Sequence, residues 1–225
     1  MKSLLKKIKS FFTNPDHKIL KSKFKEIHDK NLFLGNESIS GPGSDLLQTE
    51  IISKAIPELL VRHRMKTFID APCGDLYWMQ HVRLNEVKYI GLDIVEELVK
   101  KNNQKFSQDN RSFLCKNIVI DSLPEADIVF IRDCWVHLSN EDVFKCIMNL
   151  KSSGIKYLLT TSFSDVTINK ELTKIWRPLN LEIAPFNFPK PIEIINEGCR
   201  ENDGKFKDKC IMLWDITTLP DFKVV

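Results

Sequence analysis

The stretch RDCWVHLS, residues 132–139, contains three side chains that could act on a reacting hydroxyl group. Histidine titrates near about pH 6.5, so His137 can take a proton from a hydroxyl at neutral pH. Asp133 is a second candidate base, or a residue that orients His137. Arg132 either binds an anionic group of a substrate or pairs with Asp133. The structural alternative is that His137 only steadies the helix predicted to follow it.

A second stretch, FIDAPCGDLYWM at residues 68–79, has the pattern of a strand that turns into a helix at Gly74. Glycine has no side chain, so the backbone there can approach a ligand closely. Asp93 ends the next predicted strand, where an acid can accept hydrogen bonds from both hydroxyls of a ribose. The turn lacks the G-x-G-x-x-G of a phosphate-binding loop, and Asp75 would repel a phosphate. The pattern therefore predicts a phosphate-free, cationic nucleoside, such as S-adenosylmethionine.

The elements that must position these residues alternate between strands and helices. The strands are nearly continuous apolar runs, as expected for strands that are covered on both faces. Such alternation predicts a doubly wound parallel sheet, in which ligands lie beyond the carboxyl ends of the strands. The predicted helices lie at 50–64, 75–83, 94–106 and 140–153. The predicted strands lie at 66–70, 87–93, 111–118, 126–132, 155–163 and 209–216.

Four of these segments, FIDAPCGD, YIGLDIV, FLCKNI and ADIVFIRDCWVHLS, together resemble the class I S-adenosylmethionine-dependent methyltransferases. Within that superfamily the chain is similar to a small bacterial branch. The branch pattern runs SGPGS…T, DAPCGD…WM, RD…VHLS and WRPLNL…PFNFPKP…INEGC…LWD, and the resemblance covers residues 36–218. It implies a Rossmann-like, doubly wound α/β fold. The sheet would have seven mostly parallel strands and an antiparallel C-terminal hairpin.

The resemblance also implies roles for single residues. Asp133 would lie beside the sulfonium and the incoming substrate. Asn117 stands where an aspartate is common, but its side-chain oxygen can still accept a hydrogen bond from the adenine amino group. Pro72 stands where the superfamily often has a glycine, and a proline at this position would stiffen the turn. The residues implied to hold the cofactor are Asp70, Ala71, Cys73, Gly74, Asp93, Ile94, Asn117, Ile118, Arg132, Ser44 and Thr49.

Two further segments are candidates for closing the site. SGPGSDLLQT, residues 40–49, is either a linker or a lid over the cofactor with Gly41 and Gly43 as its mobile points. A lid suits methyl transfer, because the sulfonium loses its charge in the transition state and excluded water carries no penalty. The proline-rich stretch after residue 164 is a long loop whose aromatic rings either pack on the core or bind a sugar. The candidate substrate-binding residues are Trp135, Trp176, Arg177, Asn180, Asn187 and Lys190.

Positive charge is concentrated at the N-terminus. Residues 1–30 hold nine lysines and three acidic residues, a net charge of +6, so the whole-chain charge of +3 leaves −3 for the remainder. We interpret residues 1–35 as a basic helical segment that precedes a methyltransferase domain at 36–225. The first segment, roughly residues 1–30, is predicted to be a short amphipathic helix that packs on the domain or rests weakly on an anionic membrane surface through residues 1–12, or to be disordered.

Composition excludes several classes of protein. Six cysteines without a C-x-x-C pair predict buried, reduced thiols in the cytoplasm and neither a disulfide framework nor a metal site. No apolar run approaches the roughly 18–20 residues that cross a bilayer, and the lysines in MKSLLKKIKSFF are unlike a signal peptide. The slightly acidic remainder lacks a basic, aromatic-studded stripe, which argues against nucleic acid as a partner.

The predicted function is a cytoplasmic O-methyltransferase that converts S-adenosylmethionine to S-adenosylhomocysteine. The branch that it resembles often accompanies bacterial surface-polysaccharide (capsule) biosynthesis, which implies a sugar or nucleotide-sugar hydroxyl as the acceptor. Arg132 and Arg177 motivate a variant, methylation of a phosphate or phosphoramidate oxygen on a glycan modification. A scaffold subunit that binds the nucleoside without catalysis is the alternative, because binding needs no base. The sequence makes no prediction of the oligomeric state.

Overall fold

The computed structural model describes residues 17–222. Seven strands form one sheet in the order β3-β2-β1-β4-β5-β7-β6. β1 to β5 pair in parallel, whereas β7 pairs antiparallel with both β5 and β6, so the predicted sheet and its C-terminal hairpin are confirmed. The strands are β1 (Thr67–Asp70), β2 (Lys88–Asp93), β3 (Arg111–Cys115), β4 (Ile128–Ile131), β5 (Tyr157–Phe163), β6 (Glu193–Asn196) and β7 (Lys209–Asp215).

Helices cover both faces of this sheet. Successive residues of β1 and β4 point to opposite faces, and Phe68 and Ile69 accordingly belong to two different apolar clusters. One cluster contains the buried face of α4, including Ile147, and the other contains that of α2, including Ile56. The long helices within the described residues are α1 (His17–Asp29), α2 (Leu46–Arg62), α3 (Glu96–Phe106) and α4 (Asn140–Ser152).

The predicted helix at 75–83 is wrong. Leu76 has a positive φ of 61°, which a right-handed helix does not allow. The Asp75 carboxylate accepts a hydrogen bond from the Tyr77 backbone amide, which replaces a helical hydrogen bond with a local turn. The segment is therefore a series of turns with one 3₁₀ turn at Met79–His81.

Helix α1 packs against the domain. Leu20 and Ile27 are buried, and Leu20 joins the apolar cluster that contains α4. Lys25 pairs with Glu97 at the start of α3, with a distance of 2.7 Å between Nζ and Oε1. The predicted membrane contact of residues 1–12 falls outside the described residues. Across 17–222, no helix is long and apolar enough to span a bilayer.

The six cysteines are all free thiols. Five of them are buried, but Cys115 is exposed at the end of β3, so the prediction of burial is wrong at that position. β3 lies at one edge of the sheet, and the side chain of Cys115 at its end is left uncovered.

Candidate active site

A cavity of about 560 Å³ opens at the carboxyl ends of β1, β2 and β4. β1 is hydrogen-bonded to β2 on one side and to β4 on the other. The order in which successive strands join the sheet therefore changes direction at β1, although the strands themselves are parallel. Such a switch point is where open α/β sheets bind their ligands. The predicted residues that line the cavity are Ser44, Asp70, Cys73, Gly74, Asp93, Ile94, Asn117, Ile118, Arg132, Asp133, His137 and Trp176.

The turn after β1 forms the floor of the cavity. Gly74 has a φ of 55° and donates its backbone N–H to Asp93 Oδ2 at 3.1 Å. Asp93 Oδ1 accepts the backbone N–H of Val95 at 2.8 Å, so the acid that ends β2 is fixed by two amides. Each carboxylate oxygen keeps a second lone pair for a ligand. Ala71 lies behind this turn, fully buried outside the cavity, and the bond between it and Pro72 is cis.

Two buried carboxyl groups face the cavity, and neither forms a salt bridge within residues 17–222. Burial raises the pKa of Asp93 to about 6, against the opposing hydrogen bonds from Val95 and Gly74. Burial also raises the pKa of Asp70 to about 7, although a 2.6 Å hydrogen bond from the Tyr89 hydroxyl works in the other direction. Because a nearby positive charge favours the ionised form of a carboxyl, this floor fits a cationic nucleoside.

We expect cofactor affinity to fall as the pH drops. Below about pH 6 the free protein carries a proton on Asp93, and that proton must leave before the carboxylate can accept both ribose hydroxyls. S-adenosylmethionine should therefore bind roughly tenfold more weakly at pH 5 than at pH 7. Calorimetric titrations at the two values test this, with thermal melts to confirm folding. A flat affinity profile would contradict it.

The end of β3 forms the side wall predicted for adenine. Ile94 and Ile118 line this wall together with Phe24 from α1. The side-chain oxygen of Asn117 accepts the backbone N–H of Val119 at 3.0 Å. That oxygen retains one lone pair for an amino hydrogen, so the structure leaves room for the predicted contact.

His137 stands in the cavity wall as a neutral ring. Its Nδ1 lies 2.6 Å from the carbonyl oxygen of Ile175, which only accepts hydrogen bonds, so we assign the proton to Nδ1. Burial lowers the pKa of His137 to about 4. Among the described residues no group pairs with Nε2, and this nitrogen keeps its lone pair. Phe33 packs against the ring with centroids 4.7 Å apart.

Asp133 is held as an ionised carboxylate. Burial alone would raise its pKa, but Lys209 and Arg132 outweigh that effect and lower it to about 2. Lys209 Nζ lies 2.6 Å from Asp133 Oδ2, and the Asp133 amide donates to Thr161 Oγ1 at 2.9 Å. A carboxylate in this state is a weaker base than His137.

Arg132 is predicted to bind the cofactor or an anionic substrate, but its guanidinium is already paired. It donates to both carboxylate oxygens of the buried Glu197, with Nη2 to Oε2 at 2.7 Å. Nη2 also donates to the backbone carbonyl of Gly43 at 2.8 Å. Arg132 thus joins the end of β4 to the loop that precedes α2.

That loop contains the SGPGS motif and lies over the cavity. Ser44 lines the cavity, as predicted. Thr49 does not, because it is fully buried in α2 and its hydroxyl donates to the Asp45 carbonyl at 3.0 Å. The Asp75 carboxylate, which the sequence predicts to repel a phosphate, accepts hydrogen bonds from the Ser38 hydroxyl and the Ile39 amide.

Only one of the predicted substrate residues lines the cavity, namely Trp176. Buried Arg177 donates to the carbonyls of Val136 and Leu138, and buried Asn180 donates to those of Ser164 and Val166, so both hold the loop together. The remaining three also lie outside. Trp135 is buried in the core, Asn187 lies in a turn with φ of 51°, and Lys190 is 91% exposed beside Glu182.

Several cavity residues are absent from the sequence predictions. Lys209 begins β7, and a lysine at the start of an apolar strand is the signal that could have marked it. Phe163 and Phe206 also line the cavity, and they pack edge to face with each other and with the predicted Trp176, with Trp176 and Phe206 centroids 5.0 Å apart. Within residues 17–222, the cavity included, no cluster of His, Cys, Asp and Glu side chains is arranged to hold a metal ion.

No protein-family model matches this sequence, and no curated protein sequence does either. Solved structures do match. The N-methyltransferase NodS from Bradyrhizobium japonicum WM9, in complex with S-adenosylhomocysteine, gives a TM-score of 0.60 at 11% identity, over 84% of this chain and 97% of its own. The fold is that of the S-adenosylmethionine-dependent methyltransferases.

Two more methyltransferase structures are similar over most of their length. Magnesium protoporphyrin IX methyltransferase (ChlM) from Synechocystis PCC 6803, with bound S-adenosylhomocysteine, gives a TM-score of 0.58 at 13% identity, over 87% of this chain and 97% of its own. The 1,6-didemethyltoxoflavin-N1-methyltransferase of Burkholderia thailandensis gives a TM-score of 0.54 at 13% identity, over 86% of this chain and 85% of its own. Their substrates differ widely, so the shared fold says nothing about the acceptor.

Proposed function

We propose that this protein is a cytoplasmic S-adenosylmethionine-dependent O-methyltransferase. The observation that carries the proposal is the floor of the cavity, where Asp70 and Asp93 lie buried without a salt bridge among the described residues, beside the turn at Gly74. Asp93 would hold the ribose, and Asn117 with Ile118 would flank the adenine. The presence of these residues at the switch point of a methyltransferase fold supports the assignment.

The residues of this chain would have two tasks, to position the acceptor hydroxyl and to accept its proton. S-adenosylmethionine supplies the electrophilic methyl group when it is bound. Placing the acceptor hydroxyl against it contributes much of the rate, because the reaction becomes effectively unimolecular. His137 would accept the hydroxyl proton at Nε2, with Nδ1 anchored on Ile175. Asp133, ionised beside Lys209, would stabilise the imidazolium that results.

For the acceptor we propose a sugar or nucleotide-sugar hydroxyl in capsule or other surface-polysaccharide biosynthesis. Support comes from the branch resemblance and from Trp176 with Phe206, whose faces can stack on the C–H face of a sugar ring. The phosphoramidate variant loses its motivation, because Arg132 is paired with Glu197 and Arg177 with backbone carbonyls.

Activity is tested by measuring S-adenosylhomocysteine formation with mixtures of sugar nucleotides and of free sugars. Methyl transfer to a hydroxyl in one of these mixtures is the expected result. Cofactor binding without turnover on any acceptor would favour the non-catalytic scaffold instead. Methyl transfer to a phosphate oxygen alone would show that the assigned acceptor class is wrong.

Replacing Trp176 with alanine should raise the KM for the acceptor about tenfold, because a stacked ring contributes roughly 0.5–1.5 kcal/mol beyond its buried area. The turnover number and the affinity for S-adenosylmethionine should change much less. Lys190→Ala is the comparison, since the sequence predicts both residues at the acceptor but only Trp176 lines the cavity. Equal effects of the two changes on KM would contradict this placement.

A further inference from the structure

The loop formed by residues 38–44, here called the cover loop, is fixed to the cavity at both of its ends. At the first end, the Asp75 carboxylate accepts hydrogen bonds from the Ser38 hydroxyl at 2.8 Å and the Ile39 amide at 3.1 Å. At the other end, the carbonyl of Gly43 accepts the 2.8 Å hydrogen bond from Arg132 Nη2. The first attachment lies at the cavity because Asp75 directly follows Gly74 in the turn that forms the cavity floor.

Between these attachments the cover loop presses closely on the site. A Cβ atom added at Gly74 would overlap the Ser40 hydroxyl, so the loop lies directly on the turn. A Cβ atom added at Gly43 would lie 3.4 Å from Asp133 Oδ2 and 3.3 Å from Glu201 Oε2. Ligand in the cavity would therefore be covered by this loop on the side of the reacting groups.

The second attachment depends on a residue that does not line the cavity. Glu197 follows β6, its side chain is 1% exposed, and its two oxygens accept from Nε and Nη2 of Arg132. Nη2 has two hydrogens, and the pairing with Glu197 turns the second hydrogen toward Gly43. Asp133 lies 3.5 Å from Nη1 of the same guanidinium, whereas Glu197 accepts from both Nε and Nη2, so Glu197 sets the orientation that aims Nη2 at Gly43.

We propose that Glu197 is a positioning residue that slows the release of cofactor and product by fixing Arg132 on the carbonyl of Gly43. The statement about release rests on the proposed function, because it assumes S-adenosylmethionine or S-adenosylhomocysteine in this cavity. Closure of the loop itself does not depend on the ligand. The two parts can therefore be measured separately.

Three variants make the test. Glu197→Gln removes the negative charge and one of the two oxygens that accept hydrogen bonds from Arg132, at nearly constant side-chain volume. Arg132→Lys keeps a cation beside Glu197, but its single ammonium nitrogen cannot reach both Glu197 and the carbonyl of Gly43 as the guanidinium does, and it carries the test if Glu197→Gln does not fold. Glu193→Gln is the matched control, because Glu193, at the start of the strand that Glu197 follows, also pairs with an arginine, Arg62, but does not line the cavity.

The first measurement is amide hydrogen exchange in the unliganded proteins. Exchange within residues 38–45 should be at least tenfold faster in Glu197→Gln and Arg132→Lys than in the parent or in Glu193→Gln. Acceleration spread evenly over the sheet, or none in the cover loop, would show that Glu197 has only a structural role and would overturn the proposal.

The second measurement is the release rate of S-adenosylhomocysteine, followed by the fluorescence of Trp78 and Trp176, which line the cavity, after mixing with excess S-adenosylmethionine. Release should be at least tenfold faster in the two variants, with association changed less, and Glu193→Gln should match the parent. Unchanged release in both variants overturns the role in release. A parent protein that binds neither compound overturns the proposed function, while hydrogen exchange still decides whether Glu197 holds the loop.

Discussion

Replacing Asp93 with alanine should weaken the binding of S-adenosylmethionine by well over tenfold. The carboxylate accepts the amides of Gly74 and Val95, and in the proposed function its remaining lone pairs would accept the ribose hydroxyls. A hydrogen bond to a charged group is worth roughly 1.5–3 kcal/mol, so the loss of either ribose contact alone accounts for a factor of ten. Isothermal titration calorimetry measures the change directly.

Asp127→Ala is the matched control for this experiment. Asp127, the residue before β4, likewise accepts two backbone amides, those of Lys66 and Thr67, but it does not line the cavity. Both changes should lower thermal stability, since each leaves two backbone donors without a partner. Only Asp93→Ala should lose cofactor affinity. Unchanged affinity in Asp93→Ala would place the ribose elsewhere.

His137→Ala should reduce turnover by roughly 10²–10⁴, the usual contribution of a general base. The ring is neutral at pH 7, because burial lowers its pKa to about 4, and Nε2 is available to accept a proton. The affinity for S-adenosylmethionine should change much less than turnover. Single-turnover rates with saturating cofactor separate the two quantities.

A second substitution separates catalysis from structure at this position. His137→Asn retains a side-chain donor for the carbonyl of Ile175, the contact that now fixes the ring, but offers no basic nitrogen. We expect it to be as inactive as His137→Ala. Recovery of turnover in His137→Asn would assign His137 a structural role. His63 is bound to Glu193 outside the cavity, so His63→Ala is the control and should leave turnover unchanged.

The sheet could be predicted from the sequence because its strands are encoded locally. The runs around Ile69, Ile90 and Val129 are apolar throughout, and such runs indicate strands that helices cover on both faces. Once the strands were placed, their carboxyl ends brought Asp93, Gly74 and His137 to one edge. The half of the cavity that these strand ends form follows from this reasoning.

The other half could not be predicted, because its contacts join residues far apart in the chain. Arg177 and Asn180 have the composition of a sugar-binding loop, yet they donate to the backbone of their own and a neighbouring loop. Sequence does not distinguish a polar side chain that binds a ligand from one that satisfies buried carbonyls. The pairing of Arg132 with Glu197 spans 65 positions and has no local signal.

Calorimetric titration of the parent protein at pH 7.5 with S-adenosylmethionine, and in parallel with ATP, tests the central claim most directly. The account predicts binding of one S-adenosylmethionine per chain and no measurable binding of ATP, because Asp75 and the buried carboxyls oppose a triphosphate. The absence of heat with S-adenosylmethionine, or tighter binding of ATP, would contradict it.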